Sequence, residues 1–170
     1  ESIDFNLNKI DTFGIAIGGS LGSSKEEMKE VVNFTASKLN SDRPIHLLGI
    51  GDPIDIWSFV EQGIDTFDCV SPTRLARHGS ALIKGKNGKI NLKNTKYKEL
   101  LIPIDEKCPC YTCKNFTLSY LYHLFASQEL LAFQLLTNHN IFFMNNLMKT
   151  IRDAINENNF EEAKYKWFNN

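Results

Sequence analysis

The chain of 170 residues is 42% hydrophobic and 23% charged, so it is long enough to bury one core and too short for two comfortable domains. Its formal net charge of −1 gives no overall attraction for nucleic acid, and no apolar run approaches the roughly 20 residues that cross a bilayer. The first residues also lack the basic and apolar regions of a signal peptide, so we expect a soluble, cytoplasmic protein. Because the chain starts with Glu1 and not with Met, we expect it to be part of a longer polypeptide.

The first 70 residues alternate apolar runs with helical patterns. Residues 13–17 form a short apolar run that ends in Gly18 and Gly19, and Ser24 with Glu27 has the spacing of a helix capping box. The apolar residues that follow form a rough helical stripe: Met28, Val31, Val32, Phe34 and Leu39. This part of the sequence predicts a strand, a glycine turn and a helix.

The same pattern repeats after residue 44. Residues 45–50 are mostly apolar, Asp52 can cap a helix, and Pro53 suits the first turn of that helix. The helix is expected to stop at Gly63, and residues 64–70 predict a third strand. Apolar strands that alternate with amphipathic helices are typical of a parallel sheet covered by helices, so we predict an α/β fold.

The pattern changes after the third strand. Residues 80–84 and 89–92 are typical of the two strands of a hairpin, and Asn87 with Gly88 favours a tight turn between them. An irregular stretch that contains three cysteines follows. From Phe116 onward the sequence mainly predicts helices, over residues 118–125, 130–136 and 141–155.

Positive charge is concentrated in one part of the chain. No acidic residue lies between Asp68 and Glu99, whereas this interval contains His78 and eight basic residues: Arg74, Arg77, Lys84, Lys86, Lys89, Lys93, Lys96 and Lys98. Such a run is commonly a solvated face, but Lys and Arg also supply the salt-dependent part of RNA or DNA affinity. The charges alone favour neither interpretation over the other.

Three of the four cysteines, Cys108, Cys110 and Cys113, lie within six residues. Three thiols cannot all pair with one another, and in a reducing compartment such a cluster indicates metal binding or redox chemistry. Tetrahedral zinc accepts three thiolates and one further thiolate or imidazole, so the spacing favours a zinc site. The candidates for the fourth ligand are Cys69, His46, His78, His123 and His139.

His139 differs from the other candidates because it follows a long apolar helix and is flanked by Asn138 and Asn140, which we expect to end that helix. Cys69 lies in an apolar run, where a buried role is more usual, and His123 lies in a helical pattern among packed residues. A closed set of three cysteines and one histidine has no open coordination position. The metal is therefore expected to be structural rather than catalytic.

Five motifs are distributed along the chain: AIGG at residues 16–19, LGIGDP at 48–53, GIDTFDCVSPTRLARHG at 63–79, CPCYTC at 108–113 and TNHN at 137–140. In this order they resemble motifs of the tRNA-guanine transglycosylases, the queuine tRNA-ribosyltransferase family, and the bacterial type most closely. Together they extend over nearly the whole chain.

The resemblance implies the C-terminal part of a TIM (β/α)8 barrel with an inserted zinc-binding subdomain. Residues 1–80 would be late βα units that carry the nucleophile, residues 81–140 the hairpin and the zinc-binding subdomain, and residues 141–170 the closing helices. One structural zinc would be held by Cys108, Cys110, Cys113 and His139. The family places its proton-accepting aspartate and several base-binding residues in the N-terminal half, so this part alone is expected to lack activity.

The resemblance also makes Asp68 the catalytic nucleophile. In the family, a carboxylate displaces guanine from ribose C1′, and the modified base then displaces the carboxylate. The position of Asp68 near the end of a strand agrees with the location of active sites in TIM barrels. Asp65 is the competing carboxylate, but it lies toward the start of the strand and the motif does not point to it.

Other positions resemble the binding residues of the family. Gly19 matches a glycine whose backbone approaches the base. Two segments match regions that contact tRNA, the second of which reads the wobble position: Gly49, Ile50, Gly51, Asp52, Pro53, Ile54 and Asp55, and Thr73, Arg74, Leu75, Ala76 and Arg77. Because Arg74 and Arg77 begin the acid-free interval, the resemblance favours an RNA-facing role for that interval.

The leading interpretation is the C-terminal part of a transferase that exchanges guanine at the tRNA wobble position for a queuosine-pathway base. Its partners would be the anticodon loop of tRNA, a guanine-like base and, in the full-length enzyme, a second copy in a homodimer. The alternative is a non-catalytic RNA-binding or partner subunit of the same family that keeps the zinc fold. A stand-alone zinc module would explain the cysteines but not the strand-helix units before them.

Overall fold

A computed structural model of the chain describes residues 12–19, 22–39 and 42–169. The first residues, which lack a signal-peptide pattern, lie outside the described residues. The chain divides into two compact units, Glu1–Val70 and Ser71–Asn170, where its length had favoured one. The division falls where the sequence changes from strand-helix units to a hairpin and helices. No helix in the described ranges is long and apolar enough to cross a membrane.

Three short parallel strands form the sheet of the first unit. They are β1 (Ile15–Ile17), β2 (Ile45–Leu47) and β3 (Thr66–Phe67), in the order β1-β2-β3. Helix α1 (Lys25–Ala36) connects β1 to β2, and α2 (Pro53–Glu61) connects β2 to β3. Parallel neighbours require such crossovers, so the α/β pattern predicted for this part of the chain is confirmed. A closed TIM barrel stays a prediction.

Both helices of the first unit begin at the predicted caps. Ser24 Oγ accepts a hydrogen bond from the Glu27 N–H at 3.1 Å, and Asp52 Oδ1 accepts one from the Ile54 N–H at 3.1 Å. The Glu27 carboxylate accepts from the backbone N–H and hydroxyl of Ser23, one residue before the cap. These two hydrogen bonds hold the pKa of Glu27 below its usual value.

One face of α1 packs on the sheet. Val32 and Ala36, four residues apart, are buried on this face, whereas Val31 and Phe34 are exposed. A rotation of about 100° per residue places Phe34 roughly 200° from Val32, on the other side of the helix. The core of the unit is formed by Ile17, Val32, Ala36, Ile45, Leu47, Phe59 and Ile64.

A two-stranded antiparallel hairpin of β4 (Ser80–Leu82) and β5 (Lys89–Asn91) lies in the second unit, as predicted. Its turn differs from a tight Asn-Gly turn, because the Gly88 N–H donates to the Gly85 carbonyl at 3.1 Å and so places Lys86 and Asn87 at the centre. Gly88 follows with φ of 62°, in the left-handed region that favours glycine.

Helices form most of the remainder of the second unit. They are α3 (Ser71–Arg77) before the hairpin and, after it, a 3-10 turn (Thr95–Tyr97), α4 (Tyr111–Asn115), α5 (Leu118–Ala126), α6 (Leu130–Asn156) and α7 (Phe160–Asn169). The core of this unit includes Ala76, Ala81, Leu92, Tyr97, Leu118, Leu121, Leu135 and Leu136. It therefore joins α3, the hairpin, α5 and the first half of α6.

Helix α6 runs without a break through residues 138–140, so the predicted end of a helix there is wrong. Asn disfavours helix interiors because its side chain competes for backbone hydrogen bonds. The buried Asn140 side chain instead accepts from the Leu82 N–H (2.8 Å) and donates to the carbonyls of Pro72 (3.0 Å) and Ser80 (2.9 Å). These tertiary partners remove the competition. The predicted boundary after residue 140 falls inside α6, and the division into three segments stays a prediction.

Candidate functional site

Four possible metal ligands converge in the second unit. The ligand atoms of Cys108, Cys110, Cys113 and His139 all lie within 4.8 Å of one another. His139 Nδ1 lies 3.9 Å from Cys108 Sγ, 3.5 Å from Cys110 Sγ and 3.4 Å from Cys113 Sγ. Across the described ranges, no other group of three or more His, Cys, Asp or Glu side chains could hold a metal ion.

The spacing of this cluster fits a tetrahedral ion. Ligands about 2.0 to 2.3 Å from such an ion are separated from one another by roughly 3.3 to 3.8 Å. The three distances from Nδ1 to sulfur, 3.4 to 3.9 Å, lie close to that range. Three thiolates and one imidazole are also a donor set typical of structural zinc, and they leave no position for water. The four residues therefore fit one structural metal ion.

The short helix α4 positions two of the cysteines. Cys110 precedes its first residue, and Cys110 Sγ accepts a hydrogen bond from the Cys113 N–H at 3.3 Å. Between them, the buried Thr112 hydroxyl donates to the Leu135 carbonyl at 2.6 Å. Leu135 lies one turn before His139 on α6. This hydrogen bond therefore fastens the cysteine loop beside the histidine.

His139 is oriented by a hydrogen bond on the side of the ring away from the cysteines. Its side chain is buried, and Nε2 lies 2.9 Å from the Leu82 carbonyl oxygen at the end of β4. A carbonyl only accepts, so Nε2 carries the hydrogen and Nδ1 presents its lone pair to the sulfurs. Metal-binding histidines are commonly oriented by such a second hydrogen bond, and the arrangement fits His139 as the fourth ligand.

Burial and mutual repulsion shift the pKa values of the three thiols. Burial raises the pKa of Cys108 and of Cys113, and the charge on Cys110 raises both further. Burial also acts to raise the pKa of Cys110, but the neighbouring His139 side chain and the hydrogen bond from the Cys113 N–H lower it to about 6. Three thiolates in one buried cluster repel one another, and a divalent cation would compensate their charge.

The other four candidates for the fourth ligand do not join this group. His46 and Cys69 belong to the first unit, His78 is exposed just after α3, and His123 lies on α5. Cys69 follows β3 and is only half-buried, so its expected place inside a strand is wrong.

Asp68 lies at the carboxyl edge of the three-stranded sheet. It directly follows β3, and 59% of its side chain is exposed. Because all three strands are parallel, the residues that follow β1 and β2, Gly18 and Leu48, lie at the same edge. Asp68 Oδ1 also accepts a hydrogen bond from the Gly49 N–H at 3.3 Å. The structure therefore presents an accessible carboxylate where α/β sheets commonly bind ligands.

Asp65 lies at the opposite end of β3 and has a structural partner. Its Oδ2 accepts a hydrogen bond from the Ile45 N–H at 2.7 Å, at the start of β2. The two candidates for the nucleophile, Asp65 and Asp68, thus lie at opposite edges of the sheet, because the two residues of β3 separate them. Asp65 holds the strands together, and Asp68 is left at the edge where the loops gather.

His46 occupies the same face of the sheet as Asp68. Successive residues of a strand point to opposite faces, and in β2 the buried Ile45 and Leu47 flank a half-exposed His46. His46 is paired with Thr66 on β3, and Asp68 lies two residues after Thr66. His46 Nε2 lies 3.1 Å from Asp68 Oδ1, and Nδ1 lies 2.8 Å from Thr66 Oγ1. The sequence offered His46 only as a metal candidate.

Two glycines shape the end of β1 for different reasons. A Cβ on Gly18 would lie 2.5 Å from Cδ1 of Leu48, so the exposed Leu48 side chain would have to shift to make room for it. Gly19 has φ of 92°, which favours glycine, although a Cβ there would meet no atom of the described residues within 4 Å. Open space beside the Gly19 backbone is compatible with its predicted approach to a base.

The segment from Gly49 to Asp55, predicted to contact tRNA, is only partly accessible. Gly49, Asp52 and Ile54 are exposed, whereas Gly51 and Asp55 are buried. Lys25 Nζ forms ion pairs with Asp52 at 3.2 Å and with Asp55 at 2.9 Å. The hydrogen bond to Asp55 contributes most to raising the pKa of Lys25. These contacts join the starts of α1 and α2.

The segment from Thr73 to Arg77, predicted to read the wobble position, is most of α3. Ala76 is buried in the core of the second unit, Thr73 and Leu75 are half-buried, and Arg74 and Arg77 are exposed. One face of this short helix therefore packs, and both guanidinium groups remain accessible.

Asn140 is a structural residue that the sequence analysis missed, because it was interpreted as a helix breaker. Its three hydrogen bonds connect α6 to β4 and to the start of α3. The signal was available in the motif TNHN, where an asparagine adjoins a possible ligand in an otherwise apolar helical pattern. A polar residue at such a position is often buried with specific partners.

Comparison with known proteins agrees with these features. The family model described as queuine tRNA-ribosyltransferase matches residues 2–170. Three similar relatives carry the name queuine tRNA-ribosyltransferase. They are proteins of Roseiflexus sp. (strain RS-1), 44% identical over 95% of this chain and 41% of the relative; of Dictyoglomus turgidum, 46% identical over 96% and 42%; and of Francisella tularensis subsp. novicida, 46% identical over 96% and 44%.

The chain thus spans about two-fifths of the length of these curated relatives. The match extends through both compact units, including the carboxyl edge with Asp68 and the cluster of three cysteines and one histidine. The chain belongs to the queuine tRNA-ribosyltransferase family.

Proposed function

We propose that this chain is the C-terminal part of a tRNA-guanine transglycosylase that exchanges guanine at the wobble position for a queuosine-pathway base. The observation that carries the proposal is the exposed carboxylate of Asp68 at the shared carboxyl edge of parallel strands, in a chain of this family. The names of the relatives support a ribosyl transfer on tRNA. The enzyme is then a pentosyltransferase that acts in the cytoplasm.

The chemistry requires a nucleophile that can form and release a bond to ribose. The Asp68 carboxylate attacks C1′ as the bond from C1′ to the guanine nitrogen breaks, and the bonding electrons leave with guanine, which takes up a proton. The incoming base gives up a proton and attacks C1′, which returns the electron pair of the ester bond to Asp68. Two inversions give net retention at C1′, as in retaining glycosidases.

The RNA would be held by positive charge in the second unit. Arg74 and Arg77 are exposed on α3, and the acid-free interval continues through the hairpin to Lys98. Guanidinium groups bind phosphates and base edges in planar, paired hydrogen bonds, so these two residues suit the anticodon loop. Gly19 would let the backbone approach the base at the sheet edge, and residues 49–55 would contribute further tRNA contacts.

The metal cluster would hold one structural zinc ion. When bound, zinc cross-links the cysteine loop to α6 and leaves no open position for a substrate. Cys108, Cys110, Cys113 and His139 are its ligands in this proposal. Its effect on the reaction is therefore indirect, through the stability of the unit that carries the basic residues.

The full-length enzyme would be a TIM barrel and a homodimer. Three parallel strands connected by helices support the last units of such a barrel. Large apolar side chains exposed in the second unit, among them Leu101 (78%), Tyr111 (60%) and Leu130 (78%), support contact with a second copy. Residues outside this chain would supply the proton acceptor, so the chain alone is expected to be inactive.

Base exchange by the full-length parent polypeptide on unmodified tRNA tests this proposal. We expect Asp68→Asn to lower the rate roughly 10³-fold or more and to abolish a covalent protein–RNA adduct on a denaturing gel. Asp65→Asn is the matched control, because its amide oxygen can still accept from the Ile45 N–H, and it should retain exchange. Undiminished exchange by Asp68→Asn would show that the nucleophile is another group. Binding of tRNA without any exchange by the unmodified parent would instead favour a non-catalytic subunit.

A further inference from the structure

Two donors approach the same oxygen of Asp68. The Gly49 N–H lies 3.3 Å from Oδ1, and His46 Nε2 lies 3.1 Å from it. Both of these hydrogen bonds end on Oδ1. This oxygen is therefore held by two donors, although the residue is more than half exposed.

Asp68 fixes the tautomer of His46, and Thr66 can adapt to it. An ionised carboxylate only accepts, so the contact between Nε2 and Asp68 Oδ1 requires a hydrogen on Nε2. In a neutral imidazole, Nδ1 is then the acceptor, and the Thr66 hydroxyl at 2.8 Å can rotate to donate to it. The three side chains thus form a relay, here meaning a chain of hydrogen bonds from the Thr66 hydroxyl through His46 to Asp68, in which no proton is transferred.

These contacts restrict the rotation of the carboxyl group. Two hydrogen bonds, from His46 on β2 and from Gly49 two residues after the end of that strand, hold Oδ1, so Oδ2 is directed away from both donors. An oxygen that accepts two hydrogen bonds has its charge stabilised and is the weaker nucleophile.

We propose that His46, whose Nδ1 is held by the Thr66 hydroxyl, is a positioning residue that holds Asp68 Oδ1 so that Oδ2 attacks ribose C1′. The inference rests on the proposed function of Asp68 as the nucleophile. The bond from Oδ2 to C1′ forms as the bond from C1′ to guanine breaks, and His46 neither gains nor loses a proton in that step. Its contribution is orientation, which commonly changes rates on the order of 10- to 100-fold.

Two substitutions of His46 separate orientation from folding. His46→Leu removes the donor at similar size, whereas His46→Gln places an amide N–H near the position of Nε2. In the full-length parent, we expect His46→Leu to lower kcat about 10- to 100-fold with KM for tRNA changed less than about 2-fold. His46→Gln should recover most of kcat. Equal kcat in His46→Leu and the unmodified parent would overturn the proposal, and so would equal losses in the Leu and Gln variants.

A double-mutant cycle tests the role of Thr66 independently. Thr66 is exposed, so Thr66→Val removes the hydroxyl without opening a cavity. If Thr66 acts through His46, Thr66→Val should lower kcat in the unmodified background and have no further effect in the His46→Leu background. The same loss in both backgrounds would overturn the relay.

Failure of this inference can be distinguished from failure of the proposed function. Exchange that survives Asp68→Asn would show that Asp68 is not the nucleophile, and the proposed function of this residue would fail. Exchange that is lost in Asp68→Asn but unaffected in His46→Leu would leave the function and overturn only the positioning role. A readout without catalysis is the nitrogen NMR spectrum of His46 at pH 8, where we expect the hydrogen on Nε2. A hydrogen on Nδ1 would overturn the relay.

Discussion

His139 and Leu82 are joined by a hydrogen bond of 2.9 Å from the imidazole Nε2 to a backbone carbonyl, and this bond turns Nδ1 toward three cysteine sulfurs. The next residue on α6, Asn140, accepts a hydrogen bond from the N–H of the same Leu82 and donates to the Pro72 carbonyl at the start of α3. The metal cluster, the hairpin and the helix with Arg74 thus share one hydrogen-bonded frame.

Metal content and stability should depend on His139. We expect about one zinc per purified chain by elemental analysis, and we expect His139→Ala to lose it and to lower the melting temperature of the second unit. His123→Ala is the matched control, because His123 lies on α5 outside the cluster, and it should keep its zinc. Zinc retained at full occupancy by His139→Ala would contradict the ligand set.

The stability of the metal-free chain should pass through a maximum near pH 9. The pKa of Cys110 is lowered to about 6 from 9.0, so its stabilisation is present above pH 9 and is lost as the pH falls toward 6. The pKa values of Cys108 and Cys113 are raised above 9.0, so their stabilisation is present below pH 9 and is lost as the pH rises.

Zinc should change this profile. A bound cation removes the need to protonate Cys108 and Cys113, so the loss of stability above pH 9 should disappear, while acid should release the metal. Thermal unfolding from pH 5 to 10, with zinc and with a chelator, measures both effects. Identical profiles with and without zinc would show that the thiols do not bind it.

Because of its three hydrogen bonds, Asn140 should contribute more to the free energy of unfolding than Asn145, which lies on the same helix. Asn140→Leu leaves the Leu82 N–H and two carbonyls without their partner, and we expect a loss of about 3 kcal/mol in the free energy of unfolding. Asn145 is exposed on the same helix, so Asn145→Leu should change it by less than about 0.5 kcal/mol. Urea unfolding of both variants measures the difference, and equal effects would contradict this role.

Substitution of Arg74 and Arg77 should weaken tRNA binding in a salt-dependent way. Each phosphate contact that is lost should reduce the slope of log affinity against log salt by about 0.7 to 0.9. Binding to the full-length parent, measured from 50 to 300 mM salt, should therefore show a smaller slope for Arg74→Ala and Arg77→Ala. Arg152→Ala, an exposed arginine on α6, should bind like the unmodified protein. An unchanged slope in the α3 variants would place the RNA elsewhere.

The isolated chain should self-associate. Phe13 (91% exposed), Phe34 (62%) and Leu101 (78%) present apolar surface, and within the described residues β1 and β3 are edge strands of the three-stranded sheet. Light scattering at increasing protein concentration should show a rising mean mass. A monodisperse monomer across the range would contradict this expectation.

Much of the local structure could be predicted because its signals are local. Ser24 and Asp52 cap helices through residues two or three positions away, and apolar runs of strand length precede each helix. Three cysteines within six residues likewise restrict their own geometry. In each case the interacting groups are neighbours in the chain, so the spacing of residues reports the contact.

Errors occurred where a side chain is satisfied by a distant part of the chain. The preference of Asn for helix ends was overridden at Asn140 by partners 58 to 68 residues away. The hairpin turn is centred one residue earlier than the Asn-Gly signal suggests, because the register of β4 and β5 sets its length.

Sequence by itself determined the α/β pattern of the first unit, the helix starts, the three-cysteine loop and, through its motifs, the family. Only the tertiary structure decided that His139 faces the cysteines from the middle of a helix. It also decided that His46 lies beside Asp68 and not at the metal cluster. The reason is that strand register and helix packing decide which of several histidines meets a given partner, and the residue type alone does not distinguish them. Such choices depend on contacts between residues far apart in the chain, which spacing alone does not encode.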